Sequence, residues 1–440
     1  MNMDIRKVIS DRKIEFIDIR YTPLDGRSRS ISFPAEKIDY FIKRGIGVDG
    51  SSLGLKNREK SDMVVKVDLV RYYIDTFSET PTMILFGELF SSKAGEEFDG
   101  DPRRILKKTV SLIKEKGIAD EIEILPELEF YIFDECYFES TSLYSTVDIR
   151  IRDGFSGYNG YHADYPFDTQ KDFRISLMRV FKEAGIEVKY GHHEVGRFGQ
   201  QEIEIAKSDP LRAAENIFLS KYFVKRLASS YNMVATFMPK PIYDEPGSGM
   251  HFHILLKWNN KSIFYDAKDR ENISLTLRLF SEGILRHSKA ISAFTNSTTN
   301  SYKRLNSGFE APQKLSYIVG SRESAIRIPD YFEGEDIDLE YRLPDATCNP
   351  YFAISAILLA GLDGLKQMKD KKEYKEKKVG KLPHNLLESI NALERDKEFL
   401  IRDGIFPKWL IDMWVDKKKR EFWEVENKPS SIEFTRYFCL

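Results

Sequence analysis

The sequence predicts an α+β fold in two parts, and three observations carry that prediction. Residues 1–98 hold short strand-like runs rich in β-branched and aromatic residues. A helix-start signal stands at Gly100-Asp101-Pro102. From there to residue 440, strand-like and helix-like patterns mix. The chain therefore divides near residue 99, into a small N-terminal unit of residues 1–98 and a large unit of residues 99–440.

In the first unit the strands are KIEFIDIRYT, RSISFPAE, DMVVKVDLVRYYI and PTMILFGELF. Asp101 then suits an N-cap and Pro102 the first helical position, where its missing N–H costs nothing. Ile105, Leu106, Leu112 and Ile113 give that helix an apolar face, and Gly117 ends it. Asp209-Pro210 opens a long helix reaching about Tyr231, and Asn349-Pro350 opens another through Leu365. The tail, from about Leu382, reads as helical, with Leu386, Leu387, Ile390 and Leu393 as a core stripe. The basic run from Lys369 to Lys381 reads as a solvated loop.

Composition narrows the function. Hydrophobic residues make up 42% and charged residues 31%, enough to bury a large core. The net charge is 67 − 69 = −2, so neither nucleic acid nor an anionic membrane is an expected partner. Small-molecule chemistry is the better starting point. Cys136, Cys348 and Cys439 are far apart and odd in number, which fits a reducing cytoplasm. The charged N-terminus is no signal peptide, and the longest apolar run, 352–362, is too short to span a bilayer.

The chemistry shows in four strands. Side chains at i and i+2 share a strand face, about 6.5 Å apart. In ILPELEFYIF, Glu127 and Glu129 share one face, opposite Leu128, Phe130 and Ile132. Glu202 and Glu204 oppose Ile203 and Ile205; His251 and His253 oppose Phe252 and Ile254; Glu340 and Arg342 oppose Leu339 and Tyr341. Any one such pair is ordinary on a half-solvated strand. Four together are not, because glutamate is depleted in strands and like charges repel. Clustered carboxylates with an imidazole suit Mg²⁺ or Mn²⁺. His192-His193-Glu194 precedes the Glu202 strand, and on its own is as well read as a buried histidine pair. Arg304, Arg322, Arg327 and Arg342 lie downstream and suit bidentate binding of phosphate or carboxylate. No Gly-rich phosphate loop is present, so any ATP must be held by metals and arginines.

Taken together these residues resemble type I glutamine synthetase. The resemblance runs along the whole chain through VDGSSLG, PELEFYIF, HHEVGRFGQQE, KPIYDEPGSGMHFH, NSYKRLNSGFEAP, SRESAIRIP and LEYRLPDATCNPY. It implies a small N-terminal β-grasp domain and a large catalytic domain whose antiparallel sheet lines the active site among surrounding helices. It implies joining of glutamate and ammonium with ATP, through γ-glutamyl phosphate. Two or more Mg²⁺ or Mn²⁺ ions are implied per site, one held by Glu129, Glu194 and Glu202 and another by Glu127, His251 and Glu340. Arg322 and Arg327 would meet the transferred phosphoryl group. Arg304 and Arg342 would hold glutamate and the developing phosphate, with Gly247 beside the substrate. Asp49, Ser52, Tyr161, Glu194 and Glu310 would form the ammonium pocket, and His253 would stack near the nucleotide. The implied assembly is a homo-oligomer, a dodecamer of two hexameric rings with active sites between subunits.

Four positions depart from the family pattern. Pro246 stands where an asparagine helps hold the amino-acid substrate. Leu255, Lys189 and Asp338 replace a serine, a glutamate and an arginine at or beside the nucleotide. KEKKVGKLPHNLL has no match for the tyrosine that one subgroup adenylylates. Two alternatives to a glutamate–ammonia ligase follow. One is a ligase joining glutamate to a larger amine; the other is a catalytically weak paralogue.

Overall fold

The computed structural model describes residues 4–92, 96–151, 159–332, 334–366 and 380–439. Most of the basic run from Lys369 to Lys381 lies outside them. The fold is α+β. Five strands form the first sheet: β1 (Phe16–Tyr21), β2 (Arg29–Pro34), β3 (Ile46–Asp49), β4 (Asp62–Asp75) and β5 (Thr82–Ser91), in the order β2-β1-β5-β4-β3. β1 and β5 run parallel and the other pairs antiparallel. Four of these strands match the expected runs. β3 and the helix Ile38–Arg44, four and seven residues long, are too short for a period to signal them.

Both faces of this sheet are covered. Ile17, Ile19, Val65, Met83 and Leu85 enter a small core on one side. Tyr73, Ile84 and Phe86 face the other way, into the large core with Ile105 and Leu106 of the helix Pro102–Glu115. That helix begins as expected: the Asp101 carboxylate accepts from the Arg104 amide, and Gly117 follows its end at φ +64°.

The second sheet has nine strands. They are β6 (Glu121–Phe133), β9 (Val188–His193), β10 (Gln200–Ile205), β11 (Val234–Thr236), β12 (Met250–Trp258), β13 (Lys261–Ser262), β14 (Lys314–Val319), β15 (Ser324–Ile328) and β16 (Leu339–Tyr341). A separate hairpin pairs β7 (Glu135–Ser140) with β8 (Ser145–Arg150). The main path runs β14-β15-β16-β12-β6-β10-β9, antiparallel except β14 with β15. Its apolar face carries Leu128, Phe130, Ile203, Phe252 and Ile254 into the large core. Helices Pro210–Ser230, Leu275–Thr295 and Pro350–Lys366 share that core. The last two meet so closely at Gly283 and Gly364 that a Cβ at either would clash with the other's backbone. The tail stripe is core as expected, with Leu386, Ile390 and Leu393 fully buried. The opposite face of the sheet is left to charged residues.

Candidate active site

Strand register brings the charged pairs together. Glu202 lies across from Glu129, and Glu204 from Glu127. His251 lies across from Glu127 on the other side of β6, and His253 across from Glu340 on β16. Arg327 of β15 completes the row opposite Glu340. The carboxylates of β6, β10 and β16, with His251 of β12 and Glu194 just after β9, thus line one cleft of about 240 Å³. The i, i+2 pattern was legible in the sequence; the neighbour relations were not.

At one end, Glu127 is pinned by two histidines. Its Oε2 lies 3.0 Å from His251 Nδ1 and its Oε1 2.9 Å from His253 Nε2. Burial alone would push this carboxyl up, but His253 and His251 outweigh it and hold Glu127 well below the usual carboxylate range. Glu340 accepts from Arg327 Nη1 at 2.6 Å and from Arg342. Its burial is likewise outweighed, chiefly by Arg342, and its carboxyl is held low. Both ends of this pair are charged and compensated.

At the other end the compensation is missing. His192 Nε2 is 3.4 Å from Glu202, and His192 Nδ1 is 3.6 Å from Glu194. Burial and then the neighbouring glutamates drive both carboxyls well above their usual range: Glu202 and Glu129 act on Glu194, and Glu127 and Glu129 on Glu202. Glu194 Oε2 is buried with no hydrogen-bond partner. Such an arrangement is costly without a cation. Donor atoms of His192, Glu194 and Glu202 come within 4.8 Å of one another, as do those of Glu127, His253 and Glu340, and of Glu127, Glu202 and Glu204. Hard carboxylate oxygens with an imidazole at that spacing fit Mg²⁺ or Mn²⁺.

Of the other expected site residues, Tyr161, Glu310, Arg322, Arg327 and Arg342 line the same cleft. Arg342 Nη2 also donates to the Glu310 carbonyl at 3.3 Å, tying the SGFEAP loop to the sheet. Gly247 lies against Arg304, where a Cβ would come 2.5 Å from its Cγ. Arg304 itself is buried. Its guanidinium donates to the carbonyls of Arg342, Leu343 and Pro344 and faces His251 Nε2 at 3.3 Å. It therefore shapes the cleft floor rather than standing free within it.

Asp49 and Ser52 are not among the cleft-lining residues of their own chain. Asp49 is exposed and accepts from Ser52 Oγ at 2.6 Å and from the Ser51 amide and hydroxyl at 2.9 and 2.8 Å. These bonds, led by Ser52, hold its carboxyl far below the usual range.

His253, which the resemblance places near the nucleotide, is 1% exposed, with both ring nitrogens hydrogen-bonded, Nε2 to Glu127 and Nδ1 to Asp338 Oδ1, each at 2.9 Å. The departures explain this setting. Asp338 is fully buried and also pairs with Lys207 at 2.9 Å. Lys189 is tied to Glu204 at 2.6 Å, and Leu255 lies in the core. None of the three presents an uncommitted polar group to the cleft. The Pro246 carbonyl accepts from the Tyr131 hydroxyl at 2.7 Å. Sequence reasoning passed over His192 and Glu204 as ligands, although both sit at i, i+2 from residues it did select.

Comparisons with known proteins identify the family of the chain. The glutamine synthetase β-grasp domain model matches residues 13–92, and the glutamine synthetase catalytic domain model matches residues 99–437. A glutamine synthetase of Methylococcus capsulatus is 33% identical, covering 99% of both chains. That of Aquifex aeolicus is 34% identical, covering 99% of this chain and 98% of the relative. The structure of Plasmodium falciparum glutamine synthetase superposes with a TM-score of 0.92 at 29% identity, covering 99% of this chain and 98% of that one. GmaS without ligand, at TM-score 0.83 and 24% identity over 99% of both chains, shares the fold. From the β-grasp sheet to the carboxylate-lined cleft, the chain belongs to the glutamine synthetase family.

Proposed function

We propose that this enzyme joins glutamate and ammonium to make glutamine, using ATP and a γ-glutamyl phosphate intermediate. The observation that carries the reading is the convergence of buried carboxylates from β6, β10 and β16 and a histidine from β12 beside Arg322, Arg327 and Arg342. A carboxylate oxygen is a poor leaving group and must first be phosphorylated. Glu129, Glu194 and Glu202 would hold one divalent cation, and Glu127, His251 and Glu340 a second. When bound, such ions supply Lewis acidity and neutralise phosphate charge. Arg322 and Arg327 bind and orient the transferred group with fork-shaped donors. Arg342, anchored by Glu340, stabilises the developing phosphate, and Gly247 keeps the substrate wall open against Arg304. Glu310 closes over the acyl phosphate and excludes water. Asp49 and Glu310 attract ammonium and accept its proton, beside Ser52, Tyr161 and Glu194. Nucleotide recognition rests on groups other than Asp338, Lys189 and Leu255, with His253 acting through Glu127.

Asp49 does not line its own chain's cleft, and on this reading a neighbouring subunit's Asp49 completes the site. We assign the assembly as a dodecamer of two hexameric rings, located in the cytoplasm, with the domain boundary near residue 99. Mixing tests the sharing. Asp49→Ala and Glu340→Gln should each be nearly inactive alone. Randomly co-assembled in equal amounts, they should recover roughly a quarter of wild-type activity, because each site needs two independent intact halves. No recovery in verified mixed oligomers sinks the shared site.

Pro246 favours a second reading, a ligase for a larger amine, since it offers no side-chain amide to the amino-acid substrate. ATP-dependent phosphate release decides between them. It should require glutamate and ammonium together. Release with a larger amine but not with ammonium replaces the first reading by the second, and no release under any combination overturns both.

A further inference from the structure

Asp338 is an unusual residue to bury. It is 0% exposed, and it enters the sheet one residue before β16. A buried carboxylate is tolerated when its oxygens are satisfied by donors. Here the two oxygens are divided between two elements. Oδ1 accepts a hydrogen bond from His253 Nδ1 of β12 at 2.9 Å, and Oδ2 is ion-paired with Lys207 Nζ, just beyond β10, at 2.9 Å. Lys207 is held at this place because the neighbouring Ser208 bridges to Ile124 of β6.

The chain of contacts continues inward. His253 Nε2 meets Glu127 Oε1 at 2.9 Å, and Glu127 Oε2 meets His251 Nδ1 at 3.0 Å. Both ring nitrogens of His253 face carboxylate oxygens, so both donate. Glu127 is then fixed at each oxygen by a different histidine. Without Asp338, the His253 ring could turn about its Cβ–Cγ bond and release Oε1. With it, the ring plane is set at two points on opposite edges.

We propose that Asp338, steadied by Lys207, is a positioning residue that orients His253 and through it presents Glu127 to a divalent cation. The proposal rests on the reading of this cleft as a two-cation ligase site. It extends that reading with a residue that touches neither substrate nor cation. Lys207 is the outer end of the device, and its Nζ sits over the Phe332 ring, 5.3 Å from the centroid. Groups that orient metal ligands typically affect cation affinity by about 10- to 100-fold.

The test is Mn²⁺ titration of the full-length, metal-stripped protein by calorimetry, with Asp338→Leu, Asp338→Asn and wild type side by side. Leucine keeps the branched shape, with more bulk, but offers no acceptor. It should weaken one of the two Mn²⁺ binding steps by about 10- to 100-fold and leave the other, at Glu129, Glu194 and Glu202, within about threefold. Asparagine keeps an acceptor for Nδ1–H and should restore the weakened step to within about threefold of wild type. A role limited to stability would move both steps together or neither. Should the leucine variant fail to fold, Asp338→Ser, too short to reach Nδ1, takes its place with the same expected split. Unchanged affinity for both steps in a folded Leu or Ser variant overturns the proposal and leaves the two-cation reading standing. Wild-type protein that binds no Mn²⁺ overturns that reading and the proposal with it. A crystal structure of the metal-free Leu or Ser variant then separates the parts: Glu127 unmoved from its wild-type rotamer refutes the positioning itself.

Discussion

The two ends of the carboxylate row are built from the same residue type and behave in opposite ways. Around Glu127 and Glu340 stand His251, His253, Arg327 and Arg342, and these carboxyls are held low despite burial. Around Glu194 and Glu202 stand His192 and more glutamates, and these carboxyls are driven high by burial and like charge. The difference lies in the neighbouring strands. β12, β15 and β16 bring cationic groups to one side of β6, whereas β10 and the residue after β9 bring Glu202, Glu204 and Glu194 to the other. One end is largely balanced by its own histidines and arginines in the bare protein, and the other depends on something positive for its balance. An internally balanced end suits phosphate transfer beside arginines. An unbalanced end suits tight capture of a divalent cation.

That contrast can be broken by paired substitutions. Glu202→Gln and Glu340→Gln each keep shape and remove a charge. Both should lower ligase activity by at least about a hundredfold, measured at saturating Mg²⁺. Their stabilities should diverge. Glu340→Gln leaves Arg327 and Arg342 buried without their anion and should cost about 3–5 kcal/mol in metal-free protein. Glu202→Gln relieves repulsion and should leave metal-free stability the same or about 1 kcal/mol higher by denaturant unfolding. Equal losses in both would contradict the contrast.

Metal removal sharpens it. A cation present at a hundred times its dissociation constant stabilises the folded state by about 2.7 kcal/mol. EDTA should therefore lower the melting temperature of wild type by several degrees. In Glu202→Gln the shift should be much smaller, because the unbalanced end has lost its claim on the ion. An EDTA-insensitive wild type would mean that the high carboxyls are settled in some other way.

The smallest effect comes from a control outside the cleft. His287, like His253, sits between two carboxylates, with Nδ1 2.7 Å from Asp396 and Nε2 3.1 Å from Asp363, and it stacks on Phe399. Burial would lower its pKa, but Asp363 and Asp396 outweigh burial and raise it. A raised histidine pKa means stability fully present below the unfolded value of about 6.5 and lost as pH rises through the folded value. His287→Phe should therefore cost about 1 kcal/mol more near pH 6 than near pH 9. A pH-independent difference would show that a histidine between two acids contributes packing here and no charge.

Much of this was legible along the chain. Asp101-Pro102 and Gly117 mark a helix because caps are local chemistry, and the i, i+2 glutamates mark a strand face for the same reason. Register is not local. That Glu202 lies across from Glu129, while His253 lies across from Glu340, depends on how four strands separated by helices come to pair. The conformation of Arg304 was equally hidden: its sequence neighbours say nothing of the three carbonyls, 38 to 40 residues downstream, that occupy its guanidinium. Asp338 stood out only as a departure from a pattern. Its partners, Lys207 and His253, lie 131 and 85 residues away, and only the folded sheet joins them.

The central claim is that these carboxylates hold two cations, and anomalous scattering from crystals grown with Mn²⁺ tests it most directly. The account predicts two peaks in each cleft, one among Glu129, Glu194 and Glu202 and a second among Glu127, His251 and Glu340. No peak, or peaks only at surface carboxylates, would contradict it.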